Sequence, residues 1–171
     1  MKRISAVLVL GALVAFAANA SSQGATRTFS FHATDIRGFP SGSVRLTGGG
    51  GFDPVAATSR AGGGFRALAD VNQGPLAGLK AGEGVRWDVD SVLPSTTFKC
   101  TGAASEALKT AFTSGNTVVL HADFYRAGDG THESFQANMI VSSDDLDPVL
   151  PGIQNVWVQG VGCGEAQVEF R

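Results

Sequence analysis

Apolar and polar residues alternate along several segments of this chain, which is the pattern of β-strands that bury one face. The segment 26–33 places Phe29 and Phe31 on one face and Ser30 and His32 on the other. Glycine clusters between such segments predict turns and short hairpins. Strands are also predicted at 43–47, 85–93, 96–100, 117–126, 133–142, 155–159 and 166–170.

One segment has a helical period instead. Apolar residues at spacings of three and four predict a short helix over 103–112, which Gly115 and Asn116 would end. No repeat or linker divides the chain. We therefore predict one all-β domain over 21–171, an antiparallel β-sandwich or a small β-barrel with one short helix. The residues that form the helical stripe are Ala104, Ala107, Leu108, Ala111 and Phe112.

The first twenty residues have the form of a cleavable secretory signal peptide. Lys2 and Arg3 precede an apolar run over 4–18, and Ala18-Asn19-Ala20 has the small-x-small form that a signal peptidase cuts. An uncleaved membrane anchor is the alternative, but the run is shorter than the roughly 20 residues that span a bilayer. We expect export to the periplasm or the extracellular space, with no transmembrane segment after cleavage.

Charge narrows the range of partners. Removal of residues 1–20 takes two basic residues and leaves 11 basic and 15 acidic residues, a net charge of −4. A nucleic-acid-binding surface needs a basic footprint, and binding to anionic lipid needs the same. We therefore expect no nucleic-acid partner, and the sequence identifies no other partner.

Cys100 and Cys163 are the only cysteines. In an exported chain, where the environment is oxidising, such a pair is most simply a disulfide. The alternatives are a metal-binding pair and a catalytic thiol. A metal site would need more ligands nearby in the sequence, and a thiol nucleophile would need no second cysteine.

The best candidate for chemistry is the polar face of the predicted hairpin. His121, Asp123 and Tyr125 share one face of its first strand, and Gln136 and Asn138 share the corresponding face of the second. Three interpretations are open: a solvated sheet face, a ligand site if the sheet closes with this face inside, or acid–base catalysis. We take the five residues as candidate ligand-binding residues and assign no catalytic residue.

Other chemistry-bearing residues are better explained as surface features. Asp88 and Asp90 lie beside Arg86, which would keep both carboxylates ionised, so a glycosidase pair is disfavoured. The aspartates over 144–147 lack the spacing of a calcium loop. The three histidines form no zinc motif, and no serine-hydrolase elbow is present. We predict no metal and no cofactor.

Several short phrases are spread over most of the predicted mature chain. They are Gly-Gly-Gly-Phe-Arg at 62–66, Gln-Gly-Pro-Leu-Ala-Gly at 73–78, Gly-Glu-Gly-Val-Arg-Trp-Asp at 82–88, Thr-Thr-Phe-Lys-Cys at 96–100, Asp-Phe-Tyr-Arg-Ala-Gly-Asp at 123–129 and Asn-Val-Trp-Val-Gln-Gly-Val-Gly-Cys at 155–163. In these phrases the chain resembles a family of small exported bacterial proteins of uncharacterised function. The resemblance implies a bacterial exported domain and brings no activity, cofactor or catalytic residue with it.

These observations together predict an exported, disulfide-stabilised β domain with a binding or structural role. The alternative is a barrel that binds a small ligand through the face of His121, Asp123 and Tyr125. A secreted hydrolase with an unrecognised site is a third interpretation. The orientation of those three side chains, into a cavity or away from one, separates the first two.

Cleavage after Ala20 predicts a mature protein that begins at Ser21. Mass spectrometry of the protein expressed from the full-length sequence in a bacterial host should give the mass of residues 21–171. The substitution Ala20→Lys should leave the leader attached, because the peptidase requires a small residue there, whereas Asn19→Gln should not. An exported wild-type protein that keeps residues 1–20 would contradict the assignment.

Overall fold

A computed structural model describes residues 26–126 and 134–171. The predicted signal peptide and the tip of the predicted hairpin loop lie outside these residues. The described part of the chain is built from strands, and it contains no helix. The strands are β1 (Arg27–Gly38), β2 (Ser43–Asp53), β3 (Thr58–Ala69), β4 (Arg86–Leu93), β5 (Ser95–Phe98), β6 (Lys109–Phe112), β7 (Thr117–Tyr125), β8 (Ser134–Ser142), β9 (Val156–Val158), β10 (Gly162–Gly164) and β11 (Ala166–Phe170).

Nine of these strands form one antiparallel sheet in the order β10-β9-β8-β7-β4-β3-β2-β1-β11. The sheet closes on itself because β1 also pairs with β10, at Arg37–Cys163 and Gly38–Gly162. The predicted all-β antiparallel class is thereby confirmed, and its closure is barrel-like. Across residues 26–126 and 134–171, no helix is long and apolar enough to cross a membrane.

The interior of the closed sheet is filled with side chains. Trp87 on β4 is fully buried at its centre, next to Phe31 at a ring distance of 6.0 Å. Its indole Nε1 donates to the carbonyl of Thr47 over 2.9 Å. Room for the indole comes from Gly48 on β2, where an added Cβ would lie 2.6 Å from the ring atom Cζ2. The glycines at 48–51 and 62–64, which predict turns in the sequence, therefore lie inside β2 and β3, and Gly48 provides space for an aromatic core.

A smaller layer covers part of the outside of the sheet. Strands β5 and β6 pair with each other and bury Phe98 against Trp157 of β9, at a ring distance of 5.8 Å. The Cys100–Cys163 disulfide ties this layer to β10, with a Cα separation of 4.7 Å. The predicted disulfide is thus present in the structure. Val119 and Ile140 are buried beneath this outer layer.

The helix predicted over 103–112 is wrong. Residues 103–108 form an irregular loop, and 109–112 form β6, which pairs with β5. Within β6, Ala111 is buried while Phe112 is 64 % exposed, so the helical stripe does not share one face. The loop is stabilised by Glu106, whose carboxylate accepts hydrogen bonds from three backbone amides at 100–102. These bonds stabilise the irregular loop in place of a helical turn.

Packing around Trp87 predicts a sharp difference between two glycines of β2. The substitution Gly48→Ala should lower the free energy of unfolding by about 1–3 kcal/mol, because its Cβ would lie 2.6 Å from the indole ring and 2.5 Å from the Gly62 carbonyl oxygen. Gly51→Ala is the matched control, since its Cβ would meet no clash and its nearest neighbour would lie 3.6 Å away. Its stability should be unchanged or raised by up to about 1 kcal/mol. Urea unfolding followed by tryptophan fluorescence measures both, and equal effects would contradict this packing.

Candidate functional site

The candidate residues of the hairpin lie on the outer face of the closed sheet. Leu120 and Phe124 of β7, and Ala137 and Met139 of β8, belong to the buried interior. Because side chains alternate along a strand, the residues between them point outward. All but Gln136, which is exposed, are half-buried. We define the polar strip as the five outward side chains His121, Asp123, Tyr125, Gln136 and Asn138.

The register of β7 and β8 brings the candidate residues together in pairs. His121 lies opposite Asn138, and Asp123 lies opposite Gln136. Tyr125 lies opposite Ser134 at the end of the ladder. The strip is therefore a continuous polar surface two strands wide, whereas the interior behind it is packed with apolar side chains.

The centre of the polar strip is a hydrogen-bonded network around Asn138. Its Oδ1 lies 2.8 Å from His121 Nδ1, and its Nδ2 donates to Thr96 Oγ1 of β5 over 3.3 Å. The backbone amide of Asn138 donates to Gln159 Oε1 over 3.0 Å, and the backbone amide of Gln159 donates back to the Asn138 carbonyl. Two strands, β5 and β7, thus hold the amide side chain in a single orientation, and Gln159 holds the backbone of the same residue.

This network determines the proton position on His121. Since Asn138 Nδ2 donates to Thr96, Asn138 Oδ1 faces the imidazole and accepts a hydrogen bond from Nδ1–H. In the neutral ring Nε2 is then the unprotonated nitrogen, available as a hydrogen-bond acceptor or a base. The partner of Nδ1 is a neutral amide rather than the carboxylate of a hydrolytic triad.

Strand β4 extends the polar surface on the other side of β7. Arg86 lies opposite Tyr125, with its guanidinium carbon 4.5 Å from the centre of the phenol ring. Arg86 Nε also lies 3.1 Å from Asp88, which faces Asp123 across the strands. Asp90 falls where the register between β4 and β7 shifts, so it is displaced from the regular ladder. The Asp88–Asp90 pair is thus part of a charged, exposed surface.

A second cluster of charges lies under the outer layer, next to the disulfide. Ligand atoms of Cys100, Glu106 and Asp147 come within 4.8 Å of one another, which is close enough for a metal site. However, the Cys100 sulfur is in the disulfide, and Lys109 Nζ lies 2.8 Å from both Glu106 and Asp147. The ammonium group therefore occupies the position between the two carboxylates that a cation would take.

Burial strengthens this ion-pair cluster. The side chains of Asp147 and Glu106 are only 3 % and 11 % exposed. Burial by itself would raise the pKa of Glu106, but hydrogen bonds from Lys109, from Thr101 and from the amides at 100 and 101 lower it to about 2. Burial would lower the pKa of Lys109, yet its bonds to the two carboxylates raise it.

The aspartates over 144–147 have separate structural roles. Asp145 Oδ1 accepts the backbone amides of Asp147 and Gln154, which shapes the loop. Asp144 accepts from the side-chain amide of Asn116 over 2.6 Å. Because Asp147 turns inward to Lys109, the three carboxylates do not converge on one point.

Sequence reasoning brings His121 and Asn138 into one candidate site but misses Thr96 and Gln159, which orient Asn138. Both residues come from segments far away in the sequence, and neither belongs to a recognisable motif. Comparisons with protein-family models, with curated proteins and with solved structures find no match to this chain. The resemblance to exported bacterial proteins therefore stays a prediction.

The depressed pKa of Glu106 predicts a pH-dependent loss of stability. A carboxylate whose pKa falls from 4.5 to about 2 on folding stabilises the fold above pH 4.5, and this contribution is lost as the pH falls towards 2. Glu106→Gln should lower the free energy of unfolding by about 3 kcal/mol at pH 7 and by much less near pH 2.

Urea unfolding of the wild type and the variant between pH 2 and pH 7 measures this difference. Glu165→Gln is the control, because Glu165 is exposed and should change stability by less than about 0.5 kcal/mol. A stability difference for Glu106→Gln that is the same at pH 2 and pH 7 would contradict the assigned role of its charge.

Proposed function

We propose that this chain is an exported, disulfide-stabilised β domain that works by binding, and that the polar strip is its binding surface. The observation that supports this most is the fixed orientation of His121, which Asn138 holds over 2.8 Å. A polar group held in one orientation before binding loses little conformational freedom when a ligand arrives. Export itself rests on the signal-like residues 1–20 and on the disulfide.

The polar strip suits a neutral ligand that is rich in hydroxyl groups. His121 Nε2 and the Asp123 carboxylate accept hydrogen bonds, whereas the Gln136 side chain both donates and accepts. A hydroxyl group also donates and accepts, so neighbouring hydroxyls of a sugar match this mixture. The opposed carboxylates Asp88 and Asp123 favour a neutral or cationic ligand over an anion at this place.

Binding inside the barrel is the less favoured alternative. It requires His121, Asp123 and Tyr125 to line an internal cavity, whereas they alternate with the interior residues of β7 and lie on the outer face. The space behind them holds Leu120, Phe124 and their apolar neighbours.

A hydrolase is also less favoured. Its general base needs an orienting group and a nearby nucleophile or activated water, commonly with a carboxylate behind the histidine. His121 has the Asn138 amide in that place, an arrangement that cysteine hydrolases combine with a free thiol, whereas both cysteines of this chain form the disulfide. The polar strip thus resembles a binding surface more than the active site of a hydrolase.

Titration of the isotope-labelled protein with a panel of neutral oligosaccharides, followed by NMR, tests this proposal. A binding sugar should shift the imidazole resonances of His121 and the amides of β7 and β8 in a saturable way. Asp123→Ala should weaken that binding about tenfold or more, because it removes a charged acceptor.

His32→Ala is the matched control, since His32 is an exposed histidine on the outer face of β1. It should leave the titration unchanged. Shifts that map to the interior, or binding that Asp123→Ala does not alter, would count against the polar strip as the binding surface.

A further inference from the structure

Two arginines lie directly opposite each other on the outer face of β2 and β3. Arg45 pairs in register with Arg66, and both side chains are exposed. Their strand neighbours Val44, Leu46 and Phe65 are buried in the interior, which places both guanidinium groups on the outside. Directly opposed residues on antiparallel strands have Cβ atoms only about 5 Å apart.

No carboxylate of the described chain balances this pair. Within residues 26–126 and 134–171, neither Arg45 nor Arg66 has an ion pair or a side-chain hydrogen bond. The nearby acids have other partners: Asp70 lies 3.0 Å from Lys80, and Glu83 lies 3.3 Å from Arg126. Opposed like charges destabilise a sheet, and the whole chain has a net charge of −2, so the pair does not reflect a generally basic surface.

The two guanidinium groups border a surface groove of about 360 Å³. Gly64 lies on its floor, where a Cβ would meet the Thr47 hydroxyl at 3.1 Å, so the missing side chain keeps the groove open. Thr47 Oγ1 makes no hydrogen bond within the described residues and offers a further donor. Val85 forms an apolar wall and is 57 % exposed, although its place in the alternating pattern predicts an inward side chain.

We propose that this arginine groove binds the phosphate group of a small organic phosphate monoester. Guanidinium groups bind phosphate oxygens in a bidentate way, and two of them match the charge of close to −2 that a monoester carries at neutral pH. Val85 would contact the apolar part of the ligand next to the phosphate. A groove of this size is in the range of small-molecule sites. The inference does not rest on the proposed function of the polar strip, because it uses different residues.

The test uses phenyl phosphate as the probe, because it joins a phosphate monoester to an apolar ring. NMR titration of the labelled protein at pH 7.5 should shift the amides of Gly64, Arg66 and Val85 in a saturable way. Arg45→Gln and Arg66→Gln should each raise the dissociation constant by about tenfold or more, since each removes a charged donor pair. The dissociation constant of Arg66→Lys should fall between those of the wild type and Arg66→Gln, because lysine keeps the charge and loses the bidentate guanidinium.

Arg60→Gln is the matched control. Arg60 is another exposed arginine of β3, but it lies opposite Gly51 and about 20 Å from Arg66 along the strand. Its titration should equal that of the wild type. The polar-strip variant Asp123→Ala should also leave phenyl phosphate binding unchanged, which separates this inference from the proposed function.

Three results would overturn the inference. The first is no saturable shift at Gly64, Arg66 and Val85 in the wild type. The second is an equal loss of affinity in Arg60→Gln and Arg66→Gln, which would show a general charge effect. The third is binding of diphenyl phosphate, a diester with a single negative charge, that is as tight as binding of phenyl phosphate. The paired guanidinium groups would then not be selecting a dianion.

Discussion

Pairing of β1 with β10 closes the large sheet, and this closure determines the role of every other surface in the structure. A closed sheet has an inside that must be filled and an outside that can be wet. The filling depends on Trp87, which needs the space left by Gly48 and a partner for its indole nitrogen at the Thr47 carbonyl. With the interior taken up by aromatic and aliphatic side chains, the candidate polar residues of β7 and β8 lie on the outer face.

The outer layer is as important to the candidate site as the barrel is. The disulfide and the buried charges of Glu106, Lys109 and Asp147 tie the segment after β5 to the sheet. Through this attachment Thr96 reaches Asn138, which in turn orients His121. The cluster of Glu106, Lys109 and Asp147 therefore has a structural role. It holds the outer layer that contains β5, and Thr96 of β5 contacts Asn138 of the polar strip.

The polar strip and the arginine groove are neighbours on one continuous surface. Arg86 of β4 connects them, because it lies opposite Gly64 of β3 on one side and Tyr125 of β7 on the other. The two sites differ in charge, since the strip contains opposed carboxylates and the groove contains opposed arginines.

The sequence by itself determined the all-β class, the disulfide pair and the shared face of His121, Asp123 and Tyr125. These follow from local alternation and from the presence of only two cysteines, which need no knowledge of distant contacts. It could not reveal that the glycines at 48–51 and 62–64 lie inside strands, because long-range pairing of β2 with β1 and β3 places them there. At Gly48 a further reason is the bulk of Trp87 on another strand. The helical period over 103–112 misled for a similar reason, since pairing with β5 and the capping by Glu106 outweigh a local preference. Only the tertiary structure decided that the polar strip faces outward, that Thr96 orients its central side-chain amide, and that two arginines lie opposite each other. Each of these depends on sheet closure and on strand register, which are properties of long-range pairing.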